Sequence, residues 1–345
     1  MTLSIIIPCY NAQDHIERFL VNLSNQSLKV SEYEVILIDD GSKDNTANII
    51  ENLKSSYKNI IFYRQKNQGP GVARNYGLKL AKGKYVYFLD VDDYIAYNSL
   101  SILLNYLEKY DLDLIGFNTR ITENYNLLEL NNKAINSEIS VTNGIDYITE
   151  NRHHRLEPWW YITKREYLLK IGFIFEEGVF LEDAIFTINV LKSAKRFAHI
   201  PLDAHRYITS PSSTMRSKNQ KHLDKLIMSY VELILKLNEM ITKTSSASEV
   251  CNPKFVENIK YRSNANVLYM FFKIVSSNHT IKDINKIISK LKFINAYPMD
   301  TKLINEEFSH PKIKLAIYIF NHKYLFQVLL YPLRFLERKN IISTP

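Results

Sequence analysis

Tyr85-Val86-Tyr87-Phe88-Leu89-Asp90-Val91-Asp92-Asp93 is an unbroken apolar and aromatic run that stops on three carboxylates. A run of that length without polar interruption reads as a strand buried on both faces. Alternation along the extended segment puts Asp90 and Asp92 on one side. Carboxylates crowded at a strand end raise one another's pKa unless a cation joins them. An all-oxygen set favours Mg²⁺ or Mn²⁺ over zinc, with phosphate oxygens completing the shell. A lone Asp-x-Asp is also compatible with a solvated acidic turn, so its neighbours must decide.

Upstream, the same pattern recurs. Leu3 to Ile7 is an apolar, β-branched strand that stops at Pro8, and Ile16, Phe19, Leu20 and Leu23 follow at helical spacing. Glu34 to Ile38 is a second strand running into Asp39-Asp40-Gly41-Ser42, after which Asp44 or Asn45 can cap a helix carrying Ile49, Ile50 and Leu53. Ile60 to Tyr63 is a third strand, Gly69 to Leu80 a loop and helix, and Leu112 to Phe117 a fifth strand after the 85–89 run. Repeated strand–helix units predict an α/β fold, a mostly parallel, Rossmann-like sheet with helices on both faces. In such sheets ligands sit outside the carboxyl ends of the strands, where the polar motifs of this chain fall.

Each motif has a chemical reading. A carboxylate at Asp39 can accept the imide N–H of a uracil ring or hold a ribose hydroxyl, whereas Gly41 and Ser42 suit a tight turn with a cap. The loop Asn67-Gln68-Gly69-Pro70-Gly71 leads into a helix whose first turn carries Arg74, and a helix start favours anions. That guanidinium could reach a base carbonyl or a carboxylate of the Asp90–Asp92 turn, or be an ordinary surface arginine. Asp183 opens a helical run with Ile185, Phe186 and Val190, the position of a simple cap or of a general base.

Taken in order, Pro8-Cys9-Tyr10-Asn11, Ile38-Asp39-Asp40-Gly41-Ser42, Gly71-Val72-Ala73-Arg74-Asn75 with Gly77, and Leu89-Asp90-Val91-Asp92-Asp93 resemble the family-2 glycosyltransferases of the GT-A fold over roughly the first 120 residues. Val179 to Phe186 is similar to that family's Glu-Asp motif, and His205-Arg206-Tyr207 with Ser210 to Arg216 resembles its strand and loop beyond.

The resemblance implies roles. Pro8 and Tyr10 would flank the base, with Asn11 and Val91 in the nucleotide site. Asp39 would bind uracil or its equivalent, Arg74 would help hold the nucleotide, and Asp90 would touch ribose or the metal shell. Asp92 would be the main ligand of Mn²⁺ or Mg²⁺, Asp183 the general base of an inverting transfer, and Glu182 a contact of the diphosphate or the acceptor. His205 and Arg216 could neutralise a diphosphate, although a satisfied strand histidine is the alternative. Trp160 could floor the acceptor pocket, or both Trp159 and Trp160 could be core.

The implied enzyme is a metal-dependent, hexosyltransferase-type glycosyltransferase. It would move one sugar from a nucleotide-sugar, a UDP-sugar by preference, to a saccharide or polyprenyl-linked acceptor in bacterial surface polysaccharide assembly. The processive members' Gln-x-x-Arg-Trp motif is absent, which implies a single transfer per encounter. Two other readings stand beside it. A nucleotidyltransferase shares the α/β plan and the metal but usually carries a glycine-rich first loop, which Pro8 to Asn11 lacks. A non-catalytic nucleotide-binding scaffold is opposed by Asp92 and Asp183.

Composition fits these expectations. The chain has 345 residues, 46% hydrophobic and 23% charged, which suits a large α/β domain plus a helical appendage. The division expected is 1–216 as catalytic domain, with 1–120 for the nucleotide-sugar and 121–216 for the acceptor and base, and 217–345 as a helical region. A net charge of +8 suits phosphates or anionic lipid, and no zinc-finger, helix-turn-helix or RNA-binding signature supports a nucleic-acid partner. Cys9 and Cys251 show no metal spacing, in keeping with a reducing compartment. The N-terminal run has no basic region before it and reads as a strand, not a signal peptide.

The segment 313–339 is apolar and aromatic, with Lys312, Lys314, Lys323, Arg334, Arg338 and Lys339 in and around it. It is too often interrupted to span a bilayer. Either it lies in the plane of a membrane, placing a cytoplasmic protein on the inner face, or it packs on the protein.

Overall fold

The computed structural model describes residues 1–130, 138–209, 219–246, 252–305 and 307–342. The chain forms two compact units, one of Met1–Gly178 with Glu182–Pro211, the other of Val179–Leu181 with Ser212–Pro345.

The first unit alternates strands and helices as its hydrophobic pattern demands: β1 (Leu3–Cys9), α1 (Ile16–Ser24), β2 (Tyr33–Asp39), α2 (Thr46–Leu53), β3 (Ile60–Arg64), α3 (Pro70–Leu80) and β4 (Tyr85–Phe88). Then come β5 (Tyr94–Ile95), α4 (Ser99–Lys109), β6 (Leu114–Thr122), α5 (Gly144–Glu150), β7 (Tyr161–Lys164), α6 (Arg165–Ile171), α7 (Glu182–Ser193) and β8 (Phe197–Ile208). The strands make one eight-stranded sheet in the order β3-β2-β1-β4-β7-β6-β8-β5. β1 is parallel to β2 and β4, β2 to β3, and β6 to β8. β7 runs antiparallel to both its neighbours, and β5 antiparallel to β8, so the sheet is mixed.

The differences from the sequence reading have physical causes. β7 is only four residues and follows a 3₁₀ turn at Pro158–Trp160, so no long apolar run announced it. β6 extends beyond Phe117 to Thr122 because β8 supplies its partner, and the polar Asn118, Thr119 and Arg120 interrupt the hydrophobic run there.

β1 and β2 are buried almost throughout, as their uninterrupted apolar runs require. α3 lies tight on β1: a Cβ at Gly77 would fall 2.3 Å from Ile6 Cγ2. This close seat brings the start of α3, and so Arg74, over the carboxyl ends of the strands.

The second unit is helical: α8 (Gln220–Ser246), α9 (Pro253–Ser276), α10 (Ile281–Phe293), α11 (Thr301–Asn305), α12 (Pro311–Asn321) and α13 (Lys323–Arg338). Its core joins Leu226, Ile234, Phe271, Phe320, Phe326 and Leu330. Phe271 stacks on Phe320 at 5.2 Å. α13 buries Phe326, Leu330, Arg334 and Glu337 along one face. Its opposite face presents Tyr324, Val328, Tyr331 and Phe335, all 59–78% exposed, at the 4-3-4 spacing of a single stripe. Arg334 therefore leaves the basic rim expected from the sequence: it is buried, and its Nη2 donates to the His279 carbonyl at 2.8 Å. No helix among the described residues is long and apolar enough to cross a membrane.

Candidate active site

Three turns meet where β1, β2 and β4 end. The first is tied to the second. Asn11, at φ +51°, donates its N–H to Ser42 Oγ (2.9 Å) and accepts from Lys43 N–H through Oδ1 (2.9 Å). Pro8 is half-buried at the end of β1, and the Tyr10 ring stands 46% exposed beside these turns.

In the second turn both carboxylates are engaged. Asp39 is wholly buried: Oδ1 accepts from Ser42 N–H at 2.9 Å, and Oδ2 lies 2.9 Å from Arg64 Nε. Asp40 accepts from Gln65 Nε2 and the N–H groups of Gln68 and Gly69, each at 2.8 Å. It thereby shapes the loop that delivers α3. Gly41, at φ +73°, is required there, because a Cβ would also meet Asn67 N at 2.9 Å. Asp40 and Arg64 went unassigned in the sequence. Arg64 is the last residue of β3, so the strand-end rule that singled out Asp39 and Asp90 applied to it as well.

The third turn is acidic and crowded. Asp90 Oδ1 lies 2.9 Å from Arg74 Nη2, and Arg74 Nη1 lies 3.1 Å from Glu182 Oε1 at the start of α7. Arg74 is buried and reaches across 108 positions of sequence to Glu182, joining it to Asp90. Burial alone would weaken its charge, but Asp90, Glu182 and Asp183 reverse that and hold it firmly protonated. Gly71 permits the approach, since a Cβ there would come 2.9 Å from Glu182 Cγ.

Burial and the neighbouring Asp93 and Asp90 push the Asp92 carboxyl up to about 7. Burial and Glu182, opposed by Arg74, push Asp183 up to about 7 as well. Burial likewise raises Glu182, against the pull of Arg74. Val91 sits half-buried between the two aspartates. Perturbed carboxylates gathered at a sheet edge are the electrostatic mark of a functional site.

Asp93 turns inward. Its Oδ1 accepts from Ile208 N–H at 2.9 Å, and its Oδ2 lies 3.1 Å from His205 Nε2. Burial drives His205 down to about 3, and burial with the neighbouring Asp90 holds Asp93 well above its ordinary value. His205 has no exposed surface and stacks on Trp159 at 4.5 Å. The expectation that it faces a diphosphate is therefore corrected: a neutral, enclosed imidazole serves as an internal prop for the acidic turn. Trp160 is also buried, its Nε1 donating to the Arg155 carbonyl at 3.1 Å, and it contributes to the lining of a surface cleft. Arg216 lies outside the described residues.

The donor set fits a hard divalent cation in part. Among the described residues no three His, Cys, Asp or Glu side chains form a preformed cage. Asp92 offers a carboxylate of raised proton affinity that makes no ion pair among the described residues, whereas Asp90 is held by Arg74. A Mg²⁺ or Mn²⁺ ion on one or two carboxylates, with diphosphate oxygens and water for the rest, matches that supply.

Residues 4–172 match the model of the glycosyl transferase family 2. The chain is 33% identical over 195 residues to an uncharacterised glycosyltransferase of Haemophilus influenzae, covering 56% of this chain and 73% of that one. It is 29% identical over 214 residues to the poly(ribitol-phosphate) β-N-acetylglucosaminyltransferase TarS of Staphylococcus aureus, covering 61% of this chain but 36% of TarS. The crystal structure of TarS 1-349 in complex with UDP-GlcNAc has a similar fold, with a TM-score of 0.65 and 20% identity over 99% of this chain and 92% of that one. The acidic turns at the sheet edge, the Arg74 bridge and these likenesses agree: the chain belongs to glycosyltransferase family 2 and has the GT-A type of α/β fold.

Proposed function

We propose that this glycosyltransferase moves one sugar, with inversion, from a UDP-sugar to a hydroxyl of a saccharide or lipid-linked saccharide in cell-surface polysaccharide assembly. The observation that carries this reading is the Arg74 bridge, which ties Asp90 of the donor turn to Glu182, the neighbour of Asp183. One cationic hub thus joins the donor end to a carboxyl with the proton affinity of a general base near neutrality.

In this reading Tyr10 stacks on the base, framed by Pro8, Asn11 and Val91. Asp39 accepts its imide N–H, with Arg64 moving aside. Asp183 takes the proton of the acceptor hydroxyl as that oxygen bonds to the anomeric carbon and the bond to the diphosphate breaks. The electron pair leaves on the nucleotide. A divalent cation held by Asp92, with Asp90 beside it, supplies neutralising charge at the diphosphate when bound. Arg74 and Glu182 keep the two aspartates at a set spacing.

The uridine assignment draws on the UDP-GlcNAc complex named above for TarS. The test is nucleotide release from a panel of UDP-, GDP- and dTDP-sugars with Mn²⁺, Mg²⁺ or EDTA. Release from one UDP-sugar, dependent on metal and lost in Asp92→Ala, is expected. Metal-independent release of equal rate, or none with no UDP binding, would sink the reading.

The outward stripe of α13, with Leu315 and Tyr318 of α12 also exposed, supports a peripheral place on the inner face of the cell membrane. Lys312, Lys314, Arg338 and Lys339 are exposed around it, each worth roughly 1 kcal/mol against anionic lipid. Sedimentation with phosphatidylglycerol vesicles should carry the protein down, and a Tyr324→Ser/Phe335→Ser double variant should stay in solution. Equal sedimentation of both would remove the stripe from the account.

A further inference from the structure

We propose that a cleft beside the catalytic turn binds the oxyanion of a negatively charged acceptor chain. The cleft measures about 410 Å³ and lies in the first unit against β6 and β8. Its floor is aromatic: the Trp160, Tyr147 and His199 rings lie with centroids 5.9–6.1 Å apart. Gly116 makes room for that floor, since a Cβ there would meet Trp160 Cζ3 at 2.4 Å. Ring faces of this kind suit the C–H surface of a sugar or polyol.

The rim is basic. Arg120 is exposed and Arg155 half-buried, and among the described residues neither has a carboxylate within ion-pair distance. Among the described residues the one acid lining the cleft, Asp203, is already held by Arg206 Nη1 at 3.0 Å. Two guanidiniums that meet no carboxylate among the described residues, over a ring-lined floor, match a phosphate or carboxylate carried on a polyhydroxyl chain.

Position connects this cleft to the reaction. The Arg155 guanidinium lies 5.1 Å over the Trp159 ring, Trp159 stacks on His205, and His205 touches Asp93 of the acidic turn. The cleft is also on the β7-β6-β8 side of β4, away from β1 and β2, whose turns frame the nucleotide. A register shift between Phe117 and Thr119 turns the end of β6 outward at this point. The inference rests on the transferase reading and adds to it the charge of the acceptor.

Calorimetry on the full chain tests it with three tetramers of matched length: glycerol phosphodiester, hexuronate and neutral hexose. An anionic tetramer is expected to bind at least about tenfold more tightly than the neutral one. Arg120→Gln and Arg155→Gln should each weaken the anionic tetramer about tenfold and leave UDP affinity alone. Which anion binds better tells phosphate from carboxylate. Equal affinity for the neutral tetramer, no binding of any, or full affinity in both variants overturns the proposal. Arg120 is exposed, so its variant keeps the test independent of folding. Failure of the transferase reading would appear separately, as loss of UDP binding in the wild type.

Discussion

The turns after β2 and β4 each carry adjacent or near-adjacent aspartates at the same edge of one sheet, yet they use them oppositely. After β2, Asp39 and Asp40 are occupied by Ser42 N–H, Arg64, Gln65 and the N–H groups of Gln68 and Gly69. After β4, Asp90 is paired with Arg74, whereas Asp92 is crowded by like charge, and Asp183 is raised by burial and the adjoining Glu182. Carboxylates that accept backbone N–H groups build the site. Carboxylates left facing one another hold proton affinity in reserve for a ligand.

The largest effect should come from the reserved group. Asp183→Asn is expected to lower kcat roughly 10³-fold while UDP affinity stays at the wild-type value, read by coupled assay and calorimetry. A loss under tenfold would remove Asp183 as the base. The occupied group should act on stability instead. Asp40→Ala strips three acceptor contacts from a buried turn and should cost about 3 kcal/mol in urea unfolding. A cost near zero would mean that the loop holds itself.

The two kinds of carboxylate also separate by pH. Asp92 and Asp183 titrate near 7 in the folded chain against 3.8 ordinarily, so the native state binds more protons across that interval. Metal-free stability should therefore fall as pH rises from about 4 to 7, and Asp183→Asn should recover about 1 kcal/mol or more at pH 8. Transfer should move the other way, rising through pH 7 as Asp183 ionises. A flat profile from pH 6 to 8 would break the contrast. The smallest effect belongs to Tyr10, whose exposed ring touches neither acidic turn's network: Tyr10→Ala should raise the UDP dissociation constant about tenfold with stability unchanged.

The strand ends were legible because a fully buried strand needs a long apolar run, and its first polar residue marks the edge where ligands meet the sheet. Asp39, Asp90 and Asp92 were singled out that way, Arg74 by its place in the first turn of a helix after a glycine-containing loop, and Asp183 by the family resemblance. Asp40, Arg64, Asp93 and the His205–Trp159 stack were not. Their importance lies in what they touch across 25 to 112 positions of chain, and no local pattern encodes that. His205 shows the cost: a histidine on a strand looks available until the fold encloses it.

By itself the sequence determined the alternation of strands and helices, the edge of the sheet that carries chemistry, and the apolar character of the last two helices. These follow from periodicity and burial, which act over a few residues at a time. Only the tertiary structure decided which carboxylates are occupied and which are open, that Arg74 joins Asp90 to Glu182, and that α13 keeps one apolar face in its core and turns the other outward. Desolvation and ion pairing depend on distances in space, and those exist only once the strands are ordered and the helices are seated.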